Sequence, residues 1–258
     1  MTSTTPPELD VSGRDALAEL LLSVADDEFV IGFWDSEWTG IAPMLEEDVA
    51  TSSIAQDEIG HARAIYELLA TLTGDDPDRI AYGREADAYR HAALLDHARG
   101  DWAFSVARRF LYETADAVRL TALARSSWEP LAQLAGKMRR EETYHRMHAD
   151  AWLRRLADGP PDARDRLVDS LTRLWPDAQE VFAPLAAEEE LQRHGFLPEP
   201  MRALHATWQE AVRPVLALIV DLPPAAPTLD GRTRRTDDFR WLHGQFTMVA
   251  RSEAGATW

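Results

Sequence analysis

Residues 54–65 read I-A-Q-D-E-I-G-H-A-R-A-I and place a polar pair inside an apolar helical pattern. At helical spacing one face carries Ile54, Glu58, His61, Ile65, Leu68 and Leu72. A carboxylate and an imidazole on such a face need partners, because an unpaired charge in the protein interior costs several kcal/mol. The stretch therefore predicts a long buried helix whose Glu58 and His61 bind something inside the fold.

Three other segments repeat this pattern, each with a polar residue near the middle of an apolar stripe. Glu28 interrupts the first helical segment and Glu113 the third, while Glu142 and His145 interrupt the fourth. Glu28 and Glu58 lie at similar sequence distances from the intervening turn, as do Glu113 and Glu142. Helical hairpins would therefore bring all of these residues to one level of a bundle.

Gly and Pro separate long helical patterns along the chain, and alternating β-branched runs are missing, which predicts an all-α fold. The expected helices span about 14–39, 43–74, 78–98 (broken), 101–127, 129–159, 162–182, 198–220 and 235–250. We expect a flexible N-terminus at 1–12, a four-helix metal-binding core at 13–160, and C-terminal helices at 161–258 that pack on the bundle.

Composition narrows the location and the partners of the protein. The chain has 258 residues, 45% of them hydrophobic, and no cysteine, so a metal site must use His, Asp and Glu. It shows no signal-peptide pattern and no apolar run long enough to span a membrane, so we expect a cytoplasmic protein. The net charge of −17 argues against nucleic acid and anionic membranes as partners, since like charges repel.

The polar residues form a known ligand pattern: one Glu on each of two helices and Glu-x-x-His on each of the other two. The set is Glu28, Glu58, His61, Glu113, Glu142 and His145. This is the inward-facing ligand set of di-iron and di-manganese carboxylate bundles. Imidazole favours iron over magnesium or calcium, although these ligands do not separate Fe/Fe from Mn/Fe occupancy.

Two further interpretations concern the surroundings of these residues. Asp57 and Glu141 each precede a proposed ligand Glu, from where a carboxylate could hold a ligand histidine by its second nitrogen; a solvated acid is the alternative for each. The ligand set itself has an alternative, in which its acids form buried ion pairs with Arg109 or Arg139 and bind no metal.

Several stretches resemble the ferritin-like subunits of bacterial phenylacetyl-CoA epoxidase, a multicomponent complex that oxygenates an aromatic ring. They are D-E-F-V-I-G, S-E-W-T-G-I-A-P-M-L-E-E-D, Q-D-E-I-G-H-A-R, R-R-F-L-Y-E-T, R-R-E-E-T-Y-H and L-W-P. Over its whole length the sequence is more similar to the structural subunit of that complex, which generally lacks a full set of iron ligands. The ligand positions instead resemble the catalytic subunit: Glu28, Glu58, His61, Glu142 and His145 match, and Glu113 stands where a carboxylate is expected.

This resemblance implies a ferritin-like four-helix bundle with additional C-terminal helices and two iron ions bound by the six residues. It also implies O₂ activation, transfer of one oxygen atom to an organic substrate, and electrons from a separate reductase. In the family the substrate is an aryl-CoA thioester, but no basic patch for CoA is recognisable here. A homologous ferritin-like subunit or a second copy of the chain is the expected partner.

Three functions stay open from the sequence. The ligand set favours a di-iron monooxygenase, either within phenylacetate catabolism or as a stand-alone oxygenase of another pathway. The overall sequence similarity favours a metal-free structural subunit that stabilises a catalytic homologue. The third function is a bundle that oxidises iron or handles peroxide without oxygenating an organic molecule. Metal content separates the first two, and substrate-dependent O₂ uptake separates the third.

Overall fold

The computed structural model describes residues 10–252, which contain helices and no strand. The helices are α1 (Val11–Ser36), α2 (Leu45–Thr73), α3 (Pro77–Tyr82), α4 (Trp102–Leu123), α5 (Glu129–Ala157), α6 (Pro161–Ala178), α7 (Glu188–Arg193), α8 (Met201–Leu216) and α9 (Asp237–Ser252). The four long helices α1, α2, α4 and α5 form the bundle. This confirms the predicted all-α, ferritin-like four-helix bundle with additional C-terminal helices. Most of the flexible segment predicted at 1–12 lies outside the described residues.

The ends of the long helices follow capping chemistry that is visible in the sequence. The Asp10 side chain accepts a hydrogen bond from Gly13 N and starts α1, and Asp101 accepts one from Phe104 N at the start of α4. Gly74 ends α2 in the left-handed region, with φ 73°. The first helix ends at Ser36 rather than near 39, because Trp38 N donates to Asp35 O at 3.0 Å, three residues back along the chain instead of the four of an α-helix.

The first helix lies at the centre of the molecule rather than along one side of the bundle. It packs on α2, α7 and α9, and every residue from Ser23 to Gly32 is buried. Gly32 permits the close approach of α2, since a Cβ there would lie 2.8 Å from Ile59 Cγ1. The sequence predicted that α1 buries a single apolar stripe. Its buried surface is wider than that, because helices from the C-terminal part of the chain cover its other sides.

The prediction of a broken helix over 78–98 was wrong beyond Tyr82. Past α3 the chain forms only two short 3₁₀ turns, Ala86–Ala88 and Ala93–Asp96. Two buried acids of α1 take up its backbone donors: Arg90 N donates to Asp26 Oδ2 at 2.6 Å and Ala92 N to Asp27 Oδ1 at 2.7 Å. Because side chains accept hydrogen bonds from these buried amides, the segment can be irregular at these positions without leaving the amides unsatisfied.

The C-terminal part of the chain packs on the bundle. Helices α6 and α8 lie against α4, and α7, a short helix that periodicity did not predict, lies against α1. The side chain of Arg232 enters the interior and donates to Asp27 Oδ2 at 3.0 Å and to Val181 O at 2.7 Å. None of the described helices combines the length and apolarity that a membrane span requires.

Candidate metal centre

The six predicted site residues meet in the interior of the bundle, and all six side chains are buried. They form two overlapping groups: Glu28, Glu58, His61 and Glu142 in one, which we call group A, and Glu58, Glu113, Glu142 and His145 in the other, group B. Within each group, one ligand atom from every residue lies within 4.8 Å of the others. Glu58 and Glu142 belong to both groups, which is the arrangement expected of carboxylates that bridge two cations.

Both imidazoles direct the same nitrogen, Nδ1, into the cluster. His61 Nδ1 lies 3.1 Å from Glu142 Oε1 and 3.4 Å from Glu28 Oε2. His145 Nδ1 lies 3.3 Å from Glu142 Oε1 and 3.4 Å from Glu58 Oε1. The two histidines thus approach the shared Glu142 from opposite groups, and each presents one nitrogen as a potential ligand.

The other imidazole nitrogen, Nε2, is held in each case by an acid from the opposite Glu-x-x-His helix. His61 Nε2 lies 2.8 Å from Glu141 Oε2, and His145 Nε2 lies 3.3 Å from Asp57 Oδ2. The contacts predicted for Asp57 and Glu141 are therefore present, and each joins α2 to α5. Such carboxylates fix the tautomer and orientation of a metal-binding histidine.

Several buried polar atoms of the cluster form no well-aligned hydrogen bond among the described residues, even where Glu142 Oε1 lies 3.1 and 3.3 Å from the two imidazole Nδ1 atoms. They are Glu58 Oε2, Glu113 Oε2, both carboxylate oxygens of Glu142, and His145 Nδ1. Buried carboxylate oxygens normally accept hydrogen bonds or bind cations, because their desolvation is otherwise uncompensated. The unpartnered atoms are all oxygen or imidazole nitrogen, so the chemistry of the donor set fits iron or manganese.

The electrostatics show a shortage of positive charge in the cluster. Burial raises the pKa of Glu58 well above its usual value, and the carboxylates of Glu142 and Glu28 raise it further. Burial likewise raises the pKa of Glu113, with Glu142 as the next cause. Burial disfavours the charged imidazole of His61, but Glu142 and Glu28 outweigh this and raise its pKa to about 11. The cluster therefore attracts protons or cations.

One arginine forms hydrogen bonds to the cluster, as the ion-pair alternative requires. Arg109 Nη1 donates to Glu58 Oε1 at 2.9 Å and also contacts Glu113 Oε1, while its Nη2 contacts Asp35. Arg139, the other arginine considered for this role, is exposed. Arg119 adds a second positive charge 3.7 Å from Glu28 Oε1 but shares it with Asp27 and Asp116, so the two guanidiniums neutralise the four glutamates of the two groups only in part.

Sequence reasoning missed a tyrosine that supports the cluster. Tyr112 Oη donates to Glu28 Oε1 at 2.6 Å and accepts from Arg119 Nη2 at 3.1 Å. Arg119 is itself bound to two buried acids, Asp27 and Asp116. The only signal in the sequence was that Tyr112 directly precedes Glu113, and both are buried in α4. This adjacency does not indicate that Tyr112 reaches Glu28 on another helix.

Two curated proteins, both subunits of the 1,2-phenylacetyl-CoA epoxidase of Escherichia coli (strain K12), are similar to this chain. The first is 28% identical over 197 residues, which cover 76% of this chain and 79% of the relative. The second is 27% identical over 172 residues, which cover 66% of this chain and 55% of the relative. The family described as phenylacetic acid catabolic protein matches residues 3–258. Because that match spans nearly the whole sequence, the chain belongs to the phenylacetic acid catabolic protein family.

Proposed function

We propose that this chain is a di-iron oxygenase subunit of an epoxidase-like system, which uses O₂ to transfer oxygen to an organic substrate. The observation that carries the proposal is the pair of overlapping ligand groups that share Glu58 and Glu142. The four buried glutamates of the two groups, three of which have unpartnered oxygens, match the charge of two divalent cations when they are ionised. Membership of a family that includes epoxidase subunits supports the same conclusion.

Each residue has a defined task in this proposal. Group A would hold one ion and group B the other, with Glu58 and Glu142 as bridges. When bound, the two irons would supply electrons to dioxygen, which the side chains of this chain cannot do. The protein keeps the site dry by burial and orients both histidines through Asp57 and Glu141.

The substrate and partners follow from the relatives. Both relatives are named as subunits of an epoxidase for phenylacetyl-CoA, so an aryl-CoA thioester is the first substrate to test. A reductase would deliver electrons, and a homologous ferritin-like subunit or a second copy of this chain would complete the assembly. A stand-alone oxygenase remains a distinct version of the proposal, because the ligand set is complete within one chain.

Metal analysis followed by oxygen uptake tests this function. Protein produced with iron should contain about two irons per chain, and the Glu58→Ala variant should lose them while keeping its helical circular dichroism. With a reductase, O₂ uptake should depend on phenylacetyl-CoA, measured with and without a homologous subunit. Product that forms only with that subunit would rule out the stand-alone version. Uptake that follows added iron and ignores the substrate would indicate a ferroxidase instead.

One observation favours a second candidate, a metal-free subunit that stabilises a catalytic homologue. Arg109 reaches Glu58 and Glu113, two of the proposed ligands, and already supplies a cation there. In this role, the chain would contain no iron after production with iron and would raise the stability or activity of a homologous metal-binding subunit. The metal content measured above therefore separates the two functions directly.

A further inference from the structure

The two ligand groups differ in one respect: an arginine occupies group B and leaves group A open. Glu58 Oε1 faces group B, 3.4 Å from His145 Nδ1, and Glu58 Oε2 faces group A, 4.0 Å from His61 Nδ1. Arg109 Nη1 lies 2.9 Å from Oε1, the oxygen on the group B side, and also contacts Glu113, which belongs to group B alone. The guanidinium thus covers one oxygen of Glu58 and one of Glu113 on the group B side.

Apart from Arg109 on the shared Glu58, the arginine nearest to group A does not cover its ligands in this way. Arg119 Nη2 lies 3.7 Å from Glu28 Oε1, beyond hydrogen-bond distance, and its guanidinium is bound to Asp27 and Asp116. Glu28 Oε1 accepts instead from Tyr112, while Glu28 Oε2 faces His61. A cation can therefore enter group A without displacement of an arginine.

The guanidinium of Arg109 also has an acidic partner outside the two ligand groups. Its Nη2 contacts Asp35, which is not a member of either group. Asp35 and Arg109 line a small cavity of about 20 Å³ together with Thr51 and Ile54. The hydroxyl of Thr51 is buried and has no hydrogen-bond partner among the described residues. The cavity is about the size of one water molecule, so a small shift of the guanidinium toward it would keep the ion pair with Asp35 and bring Arg109 nearer to the Thr51 hydroxyl.

We infer that Arg109 is an internal cation that occupies the group B position in the metal-free chain and withdraws toward Asp35 and Thr51 as a second metal ion binds. This inference rests on the proposed metal site and adds an order of loading to it. The first ion binds in group A, and the second binds more weakly because it must displace Arg109. Arg109 is a positioning residue in this account, since it acts through Glu58 and Glu113.

An anaerobic titration with Fe(II), followed by calorimetry and by counting bound iron per chain, tests the inference. Arg109→Met removes the competing charge and should tighten the second ion at least about tenfold, so that the two affinities approach each other. Asp35→Asn removes the acid toward which Arg109 withdraws and should weaken the second ion by about the same factor. Because Asp35→Asn preserves shape, it keeps the test decisive if Arg109→Met folds poorly.

Arg139→Met is the control. Arg139 is an exposed arginine of α5, the other arginine considered for neutralising the ligand set, and it lies outside both ligand groups. Its titration should resemble that of the unmodified protein in both affinities. Opposite shifts in the Arg109 and Asp35 variants, with this control unmoved, support the inference.

The other outcomes are equally informative. Two equally tight ions in the unmodified protein, or a second affinity that neither variant changes, would overturn the inference and leave the proposed function intact. Iron in Arg109→Met but none in the unmodified protein would support the role of Arg109 and overturn the oxygenase function of the natural chain. No iron in any variant would overturn both.

Discussion

His61 on α2 and Glu141 on α5 form a 2.8 Å contact between imidazole Nε2 and carboxylate Oε2. The reciprocal contact joins His145 on α5 to Asp57 on α2 at 3.3 Å. Each Glu-x-x-His helix therefore carries the acid that orients the histidine of the other. The spacing between α2 and α5 is in this way tied to the orientation of both imidazoles.

Glu141→Gln should weaken iron binding without unfolding the protein. Loss of a carboxylate behind a metal-binding histidine typically costs about 10–100-fold in affinity, and the Glu141 side chain is 40% exposed, so little packing is lost. Fe(II) dissociation constants, measured with circular dichroism as a check on the fold, provide the readout. Glu129→Gln, an exposed acid at the start of the same helix, is the control. An unchanged affinity in Glu141→Gln would show that the contact does not orient His61 for metal.

Glu142→Gln should remove both irons, whereas Glu113→Gln should remove mainly one. Glu142 belongs to both ligand groups, and Glu113 belongs to group B alone. Iron per chain after gel filtration measures the difference between these two variants of the same size and charge. The metal-free Glu142→Gln protein should be less stable than the metal-free parent, because burial raises the pKa of Glu142 but its contacts with His145 and His61 outweigh this and lower it well below its usual value, and the amide loses these ion pairs. Two retained irons in Glu142→Gln would contradict the bridging assignment.

Arg232→Met should destabilise the whole fold. Arg232 Nη2 lies 3.0 Å from Asp27 Oδ2 in the interior, and the pKa of Asp27 is lowered because Arg232 and Arg119 outweigh the effect of burial. Removal of one partner of a buried ion pair costs about 3–5 kcal/mol in the free energy of unfolding. Urea unfolding measures this cost, and the exposed Arg63→Met serves as the control. A midpoint equal to that of the parent would show that Arg119 alone satisfies Asp27.

His91 should make the protein less stable in mild acid. Burial and the charge of Arg235 lower the pKa of His91 from 6.5 to about 4. The unfolded chain therefore binds a proton at this residue more readily than the folded chain, and stability falls as the pH drops from about 6.5 toward 4. Above pH 6.5 the residue is neutral in both states and contributes nothing to this dependence.

The comparison that isolates this effect is the pH dependence of urea unfolding in the parent and in His91→Gln. The difference in stability between the two proteins should be constant above about pH 7 and should change in favour of the variant below about pH 6. Parallel curves across the whole range would contradict the lowered pKa of His91. Asp96, which lies 2.6 Å from His91 Nε2, is retained in both proteins.

The bundle and the meeting of the six site residues were predictable because each buried polar residue interrupts an apolar stripe. Helical periodicity places Glu58 with His61 and Glu142 with His145 on the same faces, and hairpin connections set their level. The contacts of Asp57 and Glu141 were one of two alternatives left open by their position beside a proposed ligand. That these six residues bind iron remains a prediction.

The rest depended on contacts between residues far apart in sequence. Arg109 was foreseen only as one of two neutralising arginines, and its simultaneous reach to Asp35 and Glu58 depends on how α1, α2 and α4 pack. The irregular path of 84–98 depends on acids of α1 that local propensity cannot reveal. Short-range periodicity also gives no signal for a helix as short as α7.

Crystals of the iron-loaded protein, measured at the iron absorption edge, test the central claim most directly. We expect two anomalous peaks per chain, one within group A and one within group B, with Glu58 and Glu142 in contact with both. Arg109 should then have left Glu58 Oε1 while keeping Asp35. A site without iron peaks, with Arg109 still bound to Glu58 and Glu113, would contradict the di-iron account and identify the chain as a metal-free subunit.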